Sequence, residues 1–192
     1  MAQYSSVSTD VRTFGLRPYR NNSVPQFRYY EESTNVASNA IKAGHPVSFD
    51  TVAASNSGRI VRAPSSAGAA GDIMATTNII GVAMEDSTSD GSTLGLGPNR
   101  RILVCLATDN QEFLGYLEGD LPNVSSMIGL QRALSWDSTR NLYAISSTDS
   151  TAADWSVVVT DVITDQSSVG DTNGPVVVKF ISTRTSPVLG RG

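Results

Sequence analysis

Three observations in the sequence predict an all-β protein of antiparallel strands. Beyond residue 35 the chain consists of short apolar runs, which Gly, Asn, Asp, Ser and Pro separate from one another. This texture is typical of strands joined by tight turns. A helix would fit only at residues 124–131 and 150–155, and neither place has room for a full amphipathic helix. No repeat of fixed period is visible, which argues against a propeller or a solenoid.

The predicted strands follow the apolar runs in order along the chain. They cover residues 46–49, 58–63, 79–84, 101–106, 112–117, 142–145, 156–163 and 175–182. The valine triplets at 157–159 and 176–178 do not alternate with polar residues. We therefore expect these two strands to be buried on both faces, inside a barrel or against another subunit.

Charge and texture divide the chain into an extended N-terminal arm, residues 1–35, and a β-rich body, residues 36–192. Residues 1–30 carry a formal charge of +3, whereas the other 162 residues carry −7. Pro18 and Pro25 disfavour a helix in the arm. A tail that orders only on binding would have the same composition.

Tyrosine and arginine are enriched where a segment docks on a partner, so the basic and aromatic residues of the arm are predicted to anchor it. These eight residues are Arg12, Arg17, Tyr19, Arg20, Phe27, Arg28, Tyr29 and Tyr30.

Composition also limits which classes of partner and which cellular compartment suit the protein. Cys105 is the only cysteine and lies in an apolar run, so we expect a small buried hydrophobe in a chain suited to a reducing cytoplasm. No apolar run is long enough to span a bilayer, and the N-terminus lacks the apolar core of a signal peptide. Lys42 and Lys179 are the only lysines, and the body is acidic. We therefore expect no membrane partner and no nucleic-acid partner.

The titratable residues do not form a recognisable catalytic or metal-binding pattern. His45 is the only histidine, so a metal site with several histidine ligands is impossible. It lies in a turn that leads into a predicted strand. Residues 171–174 resemble the start of a calcium loop, but Pro175 follows at once and the closing Glu is missing. The glycines at 95 and 97 lack the Lys-Ser/Thr pair of a phosphate loop. We expect no enzymatic activity, no metal and no cofactor.

Short motifs in the body resemble those of small head decoration, or cement, proteins of tailed bacteriophages. The motifs are IKAGHPV at 41–47, GRIVRA at 58–63 and IIGVA at 79–83, followed by Asp90-Gly91. In that group a turn reading roughly aGdpV precedes a strand, and I-x-G-V-A marks a central strand. His45 departs from this pattern, since an acidic residue is commoner there.

The second half is similar to longer decoration proteins from phages of aquatic bacteria, cyanobacteria among them. GYLEG at 115–119 after Phe113, the strand pair around Tyr143, and residues 169–180 carry this similarity, so that the resemblance covers residues 41–182. It implies a small antiparallel barrel or β-tulip-like body on the outer surface of the virion capsid, made in the host cytoplasm. The implied partners are the major capsid protein, whose neighbouring subunits the protein would cement, and other copies of itself in a homotrimer.

Two other functions remain open from the sequence. A tail or baseplate component, or a carbohydrate-binding module, would use Trp136 and Trp155 as a sugar-stacking surface, although filling a core or an interface also accounts for them. A small trimeric nucleotide hydrolase would use residues 64–68, but the surrounding acid and arginine pattern is missing.

Overall fold

The computed structural model describes ten stretches of the chain, and these contain twelve strands. The described residues are 15–21, 24–33, 41–50, 58–62, 78–87, 101–118, 122–137, 141–146, 154–163 and 173–181. The strands are β1 (Arg17–Asn21), β2 (Phe27–Glu31), β3 (Pro46–Phe49), β4 (Ile60–Arg62), β5 (Ile79–Ala83), β6 (Arg101–Leu106), β7 (Gln111–Tyr116), β8 (Gln131–Arg132), β9 (Leu134–Asp137), β10 (Leu142–Ile145), β11 (Val157–Val162) and β12 (Pro175–Phe180).

The prediction of an all-β, antiparallel protein is confirmed. All eight strands predicted from the sequence are present, as β3–β7 and β10–β12, with ends displaced by a residue or two. Within the predicted turn or helix at 124–131, only Ser125–Met127 form a short 3-10 helix. Most of the second helix candidate, residues 150–153, lies outside the described residues.

The strands form two five-stranded antiparallel sheets and a two-stranded hairpin. The first sheet has the order β1-β7-β12-β11-β8, the second has the order β2-β6-β5-β3-β4, and β9 pairs with β10 in the hairpin. In the second sheet the outer strands meet at one point, where Ser33 N–H donates to Ile60 O at 2.9 Å. Over the described residues this isolated bridge is not continued into a ladder, so the sheet is curled without continuous pairing around it.

The inner strands β5 and β12 are buried on both faces of their sheets, which accounts for their apolar runs. Val176 and Val178 of β12 pack toward the second sheet in the largest apolar cluster, whereas Val177 between them joins a separate cluster with Tyr116 and Leu142. The expectation for the valine triplets is confirmed for residues 176–178, all 0% exposed, and in part for 157–159, where Val158 is half-buried. Neither sheet therefore presents a fully solvated face.

Two segments that the sequence assigned to the extended N-terminal arm, β1 (Arg17–Asn21) and β2 (Phe27–Glu31), are strands of the two sheets. Strand β1 pairs with β7 at the edge of the first sheet, and strand β2 pairs with β6 at the edge of the second. Leu16 is 1% exposed and belongs to the largest apolar cluster. Arginines and prolines interrupt the apolar pattern by which strands are predicted, so these two strands were not predicted. Proline is nevertheless tolerated on edge strands such as these. The remaining residues of the arm, including Arg12, lie outside the described residues.

Strands β8 and β9 were not predicted from the sequence. Strand β8 has only two residues, Gln131 and Arg132, and it forms because β11 offers them an edge. Strand β9 does alternate, with Leu134 and Trp136 toward the main cluster and Ser135 and Asp137 on the other face. Its four residues were too few to stand out, and only the pairing with β10 stabilises them as a strand.

Candidate interaction surface

Exposed aromatic side chains are concentrated where the chain passes from β1 to β2. Tyr19 is 44% exposed, Val24 82%, Phe27 49% and Tyr29 56%, and Arg28 is also exposed. We call these five residues the aromatic edge. They belong to one continuous segment, residues 19–29, and Leu106 N–H holds this segment against β6 by donating to Gln26 O at 2.9 Å.

The strand register places Phe27 and Tyr29 side by side on one face of β2. Successive strand residues point to opposite faces, so these two rings share a face, and their partners across the ladder are Cys105 and Leu103. Strand β2 is an outer strand of its sheet. Because half of each ring is exposed to water, each ring lacks roughly 1 kcal/mol of the stabilising free energy that full burial would contribute. A neighbouring surface would recover this free energy by covering the rings.

The far end of β2 is fixed to the body by buried polar contacts. Ser87 Oγ donates to Glu32 Oε1 at 2.6 Å, and Ser33 Oγ donates to Asp50 Oδ2. Before them, Glu31 accepts from Arg59 Nε at 3.5 Å in an ion pair that is partly open to solvent. These contacts hold β2 in place, so its exposed rings are presented on a supported strand.

Four of the eight residues predicted to anchor the arm belong to the aromatic edge, and the other four do not. Phe27, Arg28 and Tyr29 are neighbours in the aromatic edge, and Tyr19 contributes from β1. Tyr30 instead points inward and packs edge-on against Phe49, with ring centroids 5.7 Å apart.

The other predicted anchors are basic. Arg17 is half-buried, Arg20 lies in β1 with a side chain that is not described, and Arg12 is outside the described residues.

Sequence reasoning missed two exposed apolar features. Val24 precedes a proline in the connection between β1 and β2. Nothing in its local pattern indicates that, among the large apolar residues that the structure describes, it is the most exposed. Ile128 and Leu130 flank Gly129 in a turn and are 47% and 39% exposed. The exposure of Ile128 and Leu130 could have been predicted from the apolar run 127–130, because turns lie at the surface and are normally polar.

The tryptophans do not form a shared surface. Trp136 is buried, and its ring packs edge-on against His45 and Tyr143 with centroids 5.5 and 5.1 Å away. Trp155 is half-buried. Trp136 therefore has no open face on which a sugar ring could stack.

Two hydroxyl–carboxylate pairs connect the hairpin to the end of β7. Tyr116 Oη donates to Asp137 Oδ2 at 3.3 Å, and Ser135 Oγ donates to Glu118 Oε2, both between the hairpin and the end of β7. In the described stretches no group of three or more His, Cys, Asp or Glu side chains could hold a metal ion. The residues 171 and 172 of the calcium-like fragment and residues 64–68 lie outside the described residues.

The Cys105 thiol should resist alkylation in the folded protein. It is buried, as expected, and this burial raises the pKa of the thiol from 9.0 to about 11. Only the thiolate attacks an alkylating reagent, and the folded chain keeps it scarce at pH 8. With iodoacetamide at pH 8 we expect slow modification of native protein and fast modification in urea. Equal rates would contradict this assignment.

The same raised pKa makes high pH destabilising. The folded state retains the Cys105 proton at a pH where an unfolded chain releases it. This contribution to stability is therefore complete below about pH 9 and is lost as the pH rises toward 11.

Comparison of the whole chain with protein-family models, with curated proteins and with solved structures found no match. Among the described residues, no helix has the length and apolar character needed to cross a membrane.

Proposed function

We propose that this protein is a structural virion protein that binds the outside of an assembled phage head and cements neighbouring major capsid subunits. The single observation that supports this proposal most directly is the aromatic edge, a supported outer strand with exposed Phe27, Arg28 and Tyr29. The motif resemblance of residues 41–182 supplies the identity of the partner. Other copies of the chain, in a homotrimer, are a second proposed partner.

The composition of the aromatic edge fits a contact that carries much of a binding energy. Aromatic residues and arginine dominate the energetic centres of protein interfaces, because large rings fill pockets and a guanidinium pairs with carboxylates. Arg28 is exposed on the opposite face of β2 from the two rings, so a capsid groove that encloses this outer strand, with acidic groups on one wall, would satisfy both kinds of contact. Tyr19 in β1 and residues 27–29 in β2 are already paired in the sheets, which lowers the entropic cost of docking relative to a free arm.

Cementing requires contact with more than one neighbour. A bridge resists separation of capsid subunits because, once one contact has formed, the others act at high effective concentration. In this proposal the aromatic edge holds one subunit, and the body, alone or within an oligomer, rests on the next.

Cosedimentation with expanded shells of the cognate major capsid protein that lack this chain tests the proposal. We expect saturable binding by the intact chain and at least tenfold weaker binding by the double variant Phe27→Ser/Tyr29→Ser, since two central aromatic contacts are lost. The matched control is Ile128→Ser/Leu130→Ser, which removes two exposed apolar side chains at a different place.

Each outcome of this experiment has a distinct meaning. If the intact chain did not bind shells, cementing would be excluded. If the intact chain bound and the two double variants bound equally well, the aromatic edge would not be the attachment surface. Circular dichroism of both variants checks that neither has unfolded.

A further inference from the structure

His45 connects the second sheet to the hairpin through its buried imidazole ring. The residue is 0% exposed and stands directly before β3, at the end of the turn formed by residues 42–45. Its Nε2 lies 2.7 Å from the carbonyl oxygen of Asn141, the residue before β10. Its Nδ1 accepts a hydrogen bond of 3.1 Å from the backbone N–H of Lys42. The ring therefore joins two segments that are 96 residues apart in the chain.

These two hydrogen bonds determine where the ring carries its proton. A carbonyl oxygen can only accept, so Nε2 must carry hydrogen in order to bond to Asn141. A backbone N–H can only donate, so Nδ1 must be free of hydrogen in order to bond to Lys42. Both partners belong to the main chain, and neither can reverse its role. The site is therefore complementary to neutral imidazole in its Nε2–H tautomer alone.

The aromatic residues of the hairpin surround the same ring. Trp136 and Tyr143 are opposite each other across the β9–β10 ladder, and both rings stand edge-on to His45, with centroids 5.5 and 6.2 Å away. Burial among such groups disfavours a charged imidazolium. The attraction of a cation to the two rings offsets part of that cost, but it does not replace the hydrogen bond lost at Nδ1.

The charged side chains near His45 are either exposed to solvent or hydrogen-bonded to groups other than its ring. On the turn that contains His45, the Lys42 side chain is exposed, and Asp86, after β5, accepts from the backbone N–H of Ala43 at 2.8 Å. Glu85, beside Asp86, accepts from the backbone N–H of Leu103 at 3.2 Å. On β9, Asp137 lies on the opposite face of the hairpin from Trp136 and accepts from Tyr116.

From this geometry we propose that His45 is an acid-sensitive latch between the hairpin and the second sheet. A proton taken from solvent at Nδ1 turns the acceptor of the Lys42 bond into a donor, so that two N–H groups face each other. The bond from Lys42 breaks and a buried charge appears between Trp136 and Tyr143, while Nε2–H can still donate to Asn141 as long as the ring stays in place. The charged ring gains hydration by moving out toward water, and this movement breaks the bond to Asn141 and separates the hairpin from the turn before β3. The latch is closed at neutral pH and opens as the pH falls.

The direction of the pH dependence follows from proton counting. An unfolded chain binds a proton at histidine near pH 6.5, whereas the closed latch excludes it. Below about pH 6.5 the unfolded or open state therefore binds one more proton than the closed state, and stability falls as pH falls. One proton corresponds to a change in the unfolding equilibrium constant of up to tenfold per pH unit.

NMR of the wild-type chain tests the latch directly, because His45 is the only histidine and gives a single imidazole signal. At pH 7.5 we expect ring nitrogen shifts of the neutral Nε2–H tautomer. On acidification, the ring should take up its proton at the same midpoint at which the Asn141 and Tyr143 amide signals change. A neutral Nδ1–H tautomer, or a ring that titrates near pH 6.5 with no change in the hairpin, would overturn the proposal.

Denaturant unfolding between pH 7.5 and pH 5.5 provides the second test. The wild type should lose close to tenfold in its unfolding equilibrium per pH unit over the lower part of this range, and His45→Gln should lose much less. The matched control is Asp86→Asn, which removes a nearby carboxylate and should keep the wild-type dependence. If His45→Gln followed the same pH profile as the wild type, the latch would be disproved.

Discussion

A chain that lacks residues 1–35 is expected not to fold into this structure. The deletion removes β1 and β2, which supply the outer strands beside β7 and β6, and it removes Leu16 from the largest apolar cluster. Phe113 and Cys105 would then lie on newly exposed strand edges. Unpaired edges of this kind promote association between chains. We expect a loss of cooperative thermal unfolding, measured by circular dichroism, together with aggregation in light scattering.

Single substitutions separate this effect from a general sensitivity of the N-terminal region. Leu16→Ala leaves a cavity at a residue that is 1% exposed, and it should cost about 2–5 kcal/mol of unfolding free energy. Val24→Ala, in the same segment but 82% exposed, should change stability by less than about 0.5 kcal/mol. If the truncated chain unfolded cooperatively at the wild-type temperature, residues 15–33 would not be part of the folding unit.

This result bears on how capsid attachment is tested. A truncated chain that failed to bind shells would not identify an anchor, because its body would have lost two strands. The surface variant Phe27→Ser/Tyr29→Ser keeps β2 in its sheet and removes only exposed side chains.

Gly81→Ala is the second substitution from which we expect a large loss of stability. Gly81 lies in β5, the central strand of the second sheet, and it pairs with Leu106 of β6. A β-carbon added there would lie 2.1 Å from the carbonyl oxygen of Cys105 and 2.8 Å from a side-chain carbon of Val104. Backbone atoms of a central strand cannot move aside without breaking the ladder. We expect a loss of about 3 kcal/mol or more in chemical denaturation.

A second glycine controls for the general effect of adding a methyl group. Gly58 has φ of +83° and no atom within 4 Å of the added β-carbon, so Gly58→Ala meets backbone strain alone. That strain should cost about 1 kcal/mol. Equal losses for the two variants would show that the contact with Cys105 is relieved by a small backbone shift.

The sequence predicted most of the body because the strands there are long, apolar runs between turn residues. Strands β6 and β12 contain the apolar runs 102–106 and 175–178, and burial on both faces of the sheets requires such runs. Cys105 was also predicted correctly, since a cysteine between valine and leucine in such a run has no polar role available to it. These features depend on local composition, which is visible without neighbours.

The sequence could not predict where the N-terminal segment would lie. Strands β1 and β2, which contain Arg17, Pro18 and Arg28, form because their backbones pair with β7 and β6. Those two partner strands are formed by residues far along the chain. The same holds for the candidate site. Tyr29 and Tyr30 are adjacent in sequence, yet one ring is exposed and the other packs on Phe49, because neighbouring strand residues point to opposite faces.

By itself, the sequence determined the all-β class, the positions of the longer strands and the buried cysteine, because each follows from composition within a few residues. Only the tertiary structure decided that β1 and β2 are outer strands of two sheets, that Trp136 is a core residue, and that His45 reaches Asn141. Each of these depends on contacts between residues distant in the chain. Such contacts exist only after the apolar runs have paired and enclosed a common core.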